Sequence, residues 1–347
     1  MIKPQKLQPG DKVAAVSLSW GGPGTIPQRY EIGKKQLEEE FGVQVVEMQH
    51  TLKDAAWISQ NPEARADDLM AAFFDPSIKA IISTIGGEDS IRILPYLDLE
   101  LIHDNPKIFM GYSDTTITHM ACFKAGLGTF YGPSIMAGFG ENTGMFPYMV
   151  DAVRKTLFSS EPIGQLAPNM DSWTAELLEW GIPENQNIAR KLNPSTGWRF
   201  LQGHGTVSGH LIGGCFEVFD WLRGTPYWPT LEQWENAILF IETSEEAPPP
   251  EQVKYGLRAM AALGVLSRIS GILFGRPGGQ ISPDTFAEYD RMLLQVVKEE
   301  NELGNLPIVS NIDIGHTDPM MVLPYGCILQ IDCEKKTLTI PENAVTD

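Results

Sequence analysis

The sequence predicts an α/β protein, with an N-terminal three-layer domain built on a parallel sheet and a second α/β domain after it. Three observations carry this. Near-continuous apolar runs alternate with helical patterns, as parallel strands covered on both faces require. One such run, Ile108-Phe109-Met110, stops at Gly111 and passes through Ser113 into a helical pattern, which is the strand–turn–helix logic of a nucleophile elbow. The chain has 347 residues, 43% hydrophobic and 20% charged, an ordinary globular composition at a length suited to about two domains.

Residues 11–18 read as a first buried strand that runs into a glycine-rich stretch at 19–24. That stretch lacks both the G-K-[ST] ending of a P-loop and the G-x-G-x-x-G spacing, so it reads as a tight βα turn. Residues 27–41 follow as a helix and 42–48 as a second strand. Residues 62–75 read as a helix with Leu69, Met70, Ala72 and Phe73 on one side. A third strand, 78–85, ends at Gly86-Gly87-Glu88-Asp89-Ser90, and a helix begins at Ile91. After Ser113, Thr116 opens a helix for which Gly126 serves as the C′ residue. A short strand at 127–132 and a helix at 146–160 close the first domain, assigned to residues 1–165. Weak periodicity and several prolines mark 166–197 as a linker and tryptophan-bearing mobile loop.

The second domain, 198–347, holds the glycine-rich stretch 205–215 and a helix through Phe219 and Leu222. A buried strand at 237–242 ends on the carboxylate of Glu242. Prolines 248–250 form a stiff break before a helix at 251–263, and a strand at 269–274 precedes an amphipathic helix at 283–301. A strand at 306–313 leads into Gly315-His316-Thr317-Asp318-Pro319, and 327–332 with 337–340 read as a closing hairpin.

A net charge of −18 and a pI near 4.7 repel a phosphate backbone, and no Lys/Arg run appears, so a nucleic-acid polymer is an unsuitable partner. Four cysteines without a C-x-x-C pair fit a reducing cytosol. The first residues lack an apolar h-region, and no uninterrupted apolar run reaches about 18 residues. A cytoplasmic protein without a membrane partner is expected.

A serine nucleophile needs a base, and the base needs an orienting group; otherwise Ser113 is an N-cap. His119 lies six residues after Ser113, about 240° around one helix, and cannot reach back. His50 and His103 sit in polar stretches. His204 and His210 flank a glycine-rich turn but lack a third metal ligand of sensible spacing. His316, after an apolar strand and a glycine, is assigned the general base. Glu242 is the orienter, because a carboxylate ending a buried strand must be paired or hydrogen-bonded. Asp313 and Asp318 flank His316 and rival it, whereas Glu245 and Glu246 read as solvated. An oxyanion hole needs two N–H donors. The amide after the nucleophile, Asp114, supplies one, and Gly87 at a neighbouring strand end supplies the second.

Taken together, five motifs resemble the LD-carboxypeptidase family of serine peptidases, and most closely its microcin C immunity (MccF-like) branch. They are Ile85-Gly86-Gly87-Glu88-Asp89-Ser90, Gly111-Tyr112-Ser113-Asp114, Gly209-His210-Leu211-Ile212-Gly213-Gly214, Phe240-Ile241-Glu242-Thr243-Ser244-Glu245 and Gly315-His316-Thr317-Asp318-Pro319. The resemblance implies a Ser113–His316–Glu242 triad, an oxyanion hole from Gly87 and Asp114, a mixed C-terminal domain, and an active site in the cleft between the domains. It also implies a homodimer without metal or cofactor. The MccF-like branch is favoured because murein-recycling relatives carry an Arg-Gly-Gly-Tyr-like turn where Gly86-Gly87-Glu88-Asp89 stands here, and are shorter between the nucleophile and the glutamate. The extra length here falls around Trp173 and Trp180. In immunity peptidases a loop tryptophan can stack on a nucleobase, a contact worth about 1–3 kcal/mol. Gly86, Cys215, Trp173 and Trp180 are therefore the substrate-binding candidates. Many relatives have asparagine at the position of Cys215. The implied reaction is hydrolysis of a small aminoacyl- or peptide-nucleotide through an acyl-enzyme. The alternatives are release of D-alanine from a murein tetrapeptide and a non-catalytic solute binder closing on its ligand.

Overall fold

The computed structural model describes residues 1–347. Its strands in chain order are β1 (Lys12–Val16), β2 (Gln44–Glu47), β3 (Ile78–Ser83), β4 (Ile108–Gly111), β5 (Phe130–Tyr131), β6 (Gly164–Leu166), β7 (Ser172–Trp173) and β8 (Asn193–Pro194). Then come β9 (Arg199–Gln202), β10 (Thr206–Cys215), β11 (Ile238–Glu242), β12 (Gly271–Gly275), β13 (Ile308–Ile312), β14 (Leu323–Pro324), β15 (Ile328–Asp332) and β16 (Thr337–Ile340).

The first sheet has the order β14-β5-β4-β3-β1-β2 and is parallel except for β14. The apolar runs of β3 and β4 are buried because helices cover both faces. One face carries a separate core of 15 residues. Ala66, Leu69, Ala72 and Phe73 reach it from the helix Pro62–Phe74, and Ile102 from Leu99–Asp104. The second sheet has the order β6-β16-β15-β10-β11-β12-β13-β9. Strands β10 to β13 run parallel, and the outer strands on both sides are antiparallel. The expected fold class holds, with a mixed second sheet. A core of 71 buried residues draws on both sheets.

Local chemistry sets the element ends. Pro27 occupies the first turn of the helix Pro27–Phe41, and Gly42 closes it in the left-handed conformation at φ 69°. The segment after Asp89 is a 3₁₀ helix, Ser90–Tyr96, with Pro95 inside it; proline has no amide for an α-helical bond. The long C-terminal helix is broken into a 3₁₀ turn, an α-helix Phe286–Leu294 and a π-helical turn Gln295–Glu300. A helix at Ala55–Gln60, capped by the Asp54 carboxylate accepting from the Trp57 amide at 2.8 Å, has no counterpart in the sequence reading. The stretch between the sheets is more ordered than its weak periodicity suggests. Strand β6 joins the second sheet, β7 pairs with β8, and Thr174 exchanges two backbone bonds with Asp318 at 2.8 and 2.9 Å.

Candidate active site

Strand β4 ends at Gly111, and the chain turns sharply into the helix Thr116–Lys124. Ser113 stands in that turn with φ 62°. A serine in the left-handed region is strained and persists only where its surroundings hold it. The Tyr131 hydroxyl, from β5, accepts the Ser113 amide at 3.1 Å. On the other side, a Cβ on Gly86 would lie 2.8 Å from both Cβ and Oγ of Ser113, so only glycine allows this approach. The Asp114 carboxylate fastens the elbow to the loop after β3. It accepts from the Ser19 hydroxyl and from the amides of Asp89 and Ser90 at 3.0 and 2.8 Å, and burial raises its pKa. The amide of Gly87 in that loop donates to no protein acceptor.

Glu242 is the last residue of β11 and is fully buried. Its two carboxylate oxygens have different partners. Oε2 accepts from His316 Nδ1 at 2.7 Å and from the His316 amide at 3.3 Å, while Oε1 accepts from the Tyr131 hydroxyl. One phenol therefore touches both the Ser113 backbone and the Glu242 carboxylate. Gly315, at φ 79°, makes the His316 contact possible, because a Cβ there would fall 2.1 Å from Glu242 Oε2. The rival carboxylates are engaged elsewhere. Asp313 pairs with the fully buried Arg276 at 2.6 Å, and Asp318 pairs with Arg190 at 2.7 Å.

The second ring nitrogen of His316 does not meet Ser113 in this conformation. Nε2 forms an ion pair with Glu245 Oε2 at 3.1 Å, and no hydrogen bond joins His316 to Ser113, although both line one cavity. Burial alone would lower the His316 pKa, but the charge and hydrogen bond of Glu242, with those of Glu245, raise it well above its ordinary value. Glu245 is held down to about 2 by its bond to the imidazole. The expectation of a solvated Glu245 thus misses half of its environment: the side chain is 60% exposed, yet its tip rests on the histidine.

The cavity holds about 510 Å³ and lies between the two halves of the chain, within the usual range for a small-molecule site. Gly86, Gly87, Tyr112 and Ser113 line it from one half, and Glu245 and His316 from the other. Residues 175–181 form a wall that includes Trp180. Trp180 also faces the Arg29 guanidinium, 4.5 Å from its ring centroid. Trp173 lies outside this lining, packed between Arg276 and Phe286 at 5.0 and 5.6 Å. Cys215 also lies outside it. It is paired in register with Glu242, its amide donates to Thr116 Oγ1 at 3.1 Å, and burial raises its thiol pKa. The ligand atoms of Cys215, Glu242 and His316 all lie within 4.8 Å of one another, but the imidazole nitrogen facing Glu242 is already hydrogen-bonded. Two of the other histidines are tied into the fold. His119 bonds the Gly111 carbonyl at 2.9 Å with its pKa pushed down to about 3 by burial, and His210 bonds the Gln233 carbonyl at 2.8 Å. Sequence reasoning missed Tyr131 and Glu245. The one available signal for Glu245 is its place three residues past Glu242, beyond the strand end.

Known proteins are similar to this chain over most of its length. Residues 13–132 match the LD-carboxypeptidase N-terminal domain, and residues 208–331 match the LD-carboxypeptidase C-terminal domain. The chain is 32% identical to a Vibrio cholerae protein named "Putative carboxypeptidase", over 99% of each chain. It is 30% identical to the microcin C7 self-immunity protein MccF of Escherichia coli, over 97% of this chain and 94% of that one. A Bacillus subtilis protein named "Probable murein peptide carboxypeptidase" is 26% identical over 97% and 94%. Among solved structures, an MccF-like protein from Streptococcus pneumoniae in complex with AMP superposes with a TM-score of 0.85 at 31% identity, covering 95% of this chain and 98% of that one. MccF in complex with aspartyl sulfamoyl adenosine superposes with a TM-score of 0.83 at 28% identity, covering 100% of both.

Proposed function

Because the chain belongs to the LD-carboxypeptidase family of serine-type carboxypeptidases, we propose that it hydrolyses the acyl bond of small aminoacyl- or peptide-nucleotides through a Ser113–His316–Glu242 triad. The observation that carries this reading is that one cavity is lined by both a strained Ser113 and a His316 whose Nδ1 is already fixed by a buried carboxylate. In the reaction, the Ser113 hydroxyl attacks the acyl carbon and passes its proton to His316 Nε2. The amides of Gly87 and Asp114 receive the developing oxyanion. The imidazolium returns the proton to the leaving group, and water releases the acyl-enzyme by the same route. Glu242 holds the ring orientation throughout, and Tyr131 holds Glu242. Trp180 offers a flat face to a nucleobase. That face, with the complexes of AMP and aspartyl sulfamoyl adenosine formed by relatives, favours a nucleotide conjugate.

The murein peptide carboxypeptidase among the relatives keeps D-alanine release from a cell-wall tetrapeptide as the second reading. Both are tested by one panel. Cleavage of an aminoacyl sulfamoyl adenosine, without release of D-alanine from the tetrapeptide, is the expected result, and the reverse pattern selects the murein reading. Ser113→Ala should remove nearly all turnover, about a 10³-fold loss or more, and all labelling by a fluorophosphonate, while circular dichroism and Tm stay close to wild type. A folded alanine variant that still turns over refutes the assignment.

A further inference from the structure

We propose that Glu245 is the specificity-determining residue of the cleft: its carboxylate binds the free α-ammonium of a single aminoacyl group, and by leaving His316 for that ammonium it releases Nε2 to the Ser113 hydroxyl. The inference rests on the hydrolase reading above and narrows its substrate to aminoacyl, rather than peptidyl, conjugates.

Three observations support it. First, the contact is built to be exchanged. The turn beneath Glu245 is fixed, because Ser244 donates to Glu217 Oε1 from both its amide, at 3.1 Å, and its hydroxyl, and the Ala247 amide bonds the Ser244 carbonyl at 3.1 Å. The side chain above that turn is 60% exposed, so it can change rotamer without moving the backbone. Second, the position suits an α-amine. An α-nitrogen lies about 2.5 Å from its carbonyl carbon. An acyl group seated for attack by Ser113 therefore carries its amine beside the catalytic imidazole, where Glu245 now sits 3.1 Å from Nε2. Third, the cavity wall lacks mobile cations and has acids to spare. Its arginines are engaged, Arg190 with Glu141 and Asp318, and Arg29 with the Met136 carbonyl, Asn142 and Gln186. On the same wall the carboxylates of Glu176 and Glu179 form no ion pair with a Lys or Arg side chain; that of Glu176 accepts only from the Lys191 backbone amide, at 2.5 Å. Such a wall attracts an ammonium and repels an acidic acyl side chain.

The exchange also accounts for the resting geometry. With Glu242 on one nitrogen and Glu245 on the other, His316 is held as a cation and cannot accept a proton. Once an ammonium takes Glu245, the ring keeps one carboxylate partner, loses its Nε2 proton to solvent and becomes a base.

The test uses alanyl sulfamoyl adenosine with a free amine and its N-acetyl counterpart, with wild type and Glu245→Gln. Wild type should favour the free amine by about 10- to 100-fold in kcat/KM, the discrimination expected of a charge-assisted contact, and Glu245→Gln should retain no more than about 3-fold. A neutral fluorophosphonate should label Glu245→Gln several-fold faster than wild type, because Nε2 is no longer occupied. Equal use of both substrates by wild type, an undiminished preference in the variant, or slower labelling of the variant overturns the proposal. Absence of both labelling and turnover in wild type instead overturns the hydrolase reading beneath it.

Discussion

At the scale of single residues, the site turns on who holds the proton of His316. The ring faces Glu242 and Glu245 through its nitrogens, Tyr112 at 4.9 Å between ring centroids, and Cys215 on the neighbouring strand. Asp318, paired with Arg190, lies on the same cavity. The carboxylates outweigh burial, so the folded-state pKa of His316 is raised. A raised pKa contributes stability below the unfolded value, about 6.5, and that contribution is lost as pH rises through the folded value. Catalysis has the opposite requirement, because only the neutral imidazole accepts the Ser113 proton. The acid limb of kcat/KM should therefore lie above pH 6.5. Glu245→Gln, which removes one of the two charges holding the proton, should move that limb to lower pH, and stopped assays between about pH 5 and 9 read the shift directly. A limb that stays in place would mean that Glu245 does not govern the base.

At the scale of elements, strand ends and the turns after them make the chemistry, and one glycine shows how little room they leave. Gly315 follows β13 at φ 79°, and a Cβ there would lie 2.1 Å from Glu242 Oε2. Gly315→Ala must push apart the loop and the carboxylate it bonds. A loss of about 2–4 kcal/mol in stability is expected from the strain and the disturbed buried charge. Turnover should fall by about 100-fold, since small misplacements of a catalytic group are that costly. Denaturant melts and initial rates would check both, and a variant normal in both would show the approach to be looser than drawn. The same strand ends explain what could be read in the sequence. Strands β3, β4, β11 and β13 are predominantly apolar and almost wholly buried, so their ends, and with them Ser113, Glu242 and His316, could be placed by position along the chain. Tyr131 could not, because its role is set by a contact with a residue 111 positions away. Glu245 looked like surface for the same reason. Only the fold shows that the turn after β11 returns over His316. Edge strands such as β6, β9 and β14 carry few or no buried alternations, and their pairing is decided by the sheets they meet.

At the scale of the molecule, the two sheets exchange material. Strand β14, from the C-terminal part, pairs with β5 in the first sheet, and β6, which precedes the second sheet, pairs with β16 at its edge. The core of 71 residues joins Val13 and Phe130 to Phe240 and Leu329 without a break. Tyr131, in the first sheet, completes the hydrogen bonding of Glu242 in the second. Halves that share a core this way bury apolar surface only together, so they should unfold together. The full chain is expected to give one denaturant transition, coincident by tryptophan fluorescence and far-ultraviolet circular dichroism. A fragment ending at residue 160 lacks β14 and more than half of that core. It should bind a hydrophobic dye, melt without a sharp transition and lose its fluorophosphonate reaction, since the imidazole resides in the missing part. Two separated transitions in the full chain, or a fragment that melts cooperatively, would show the sheets to be independent. The cleft would then be a hinge between self-sufficient domains, and closure by rigid-body motion would become available to a site that the shared core otherwise restricts to movements of side chains and of the wall at 175–181.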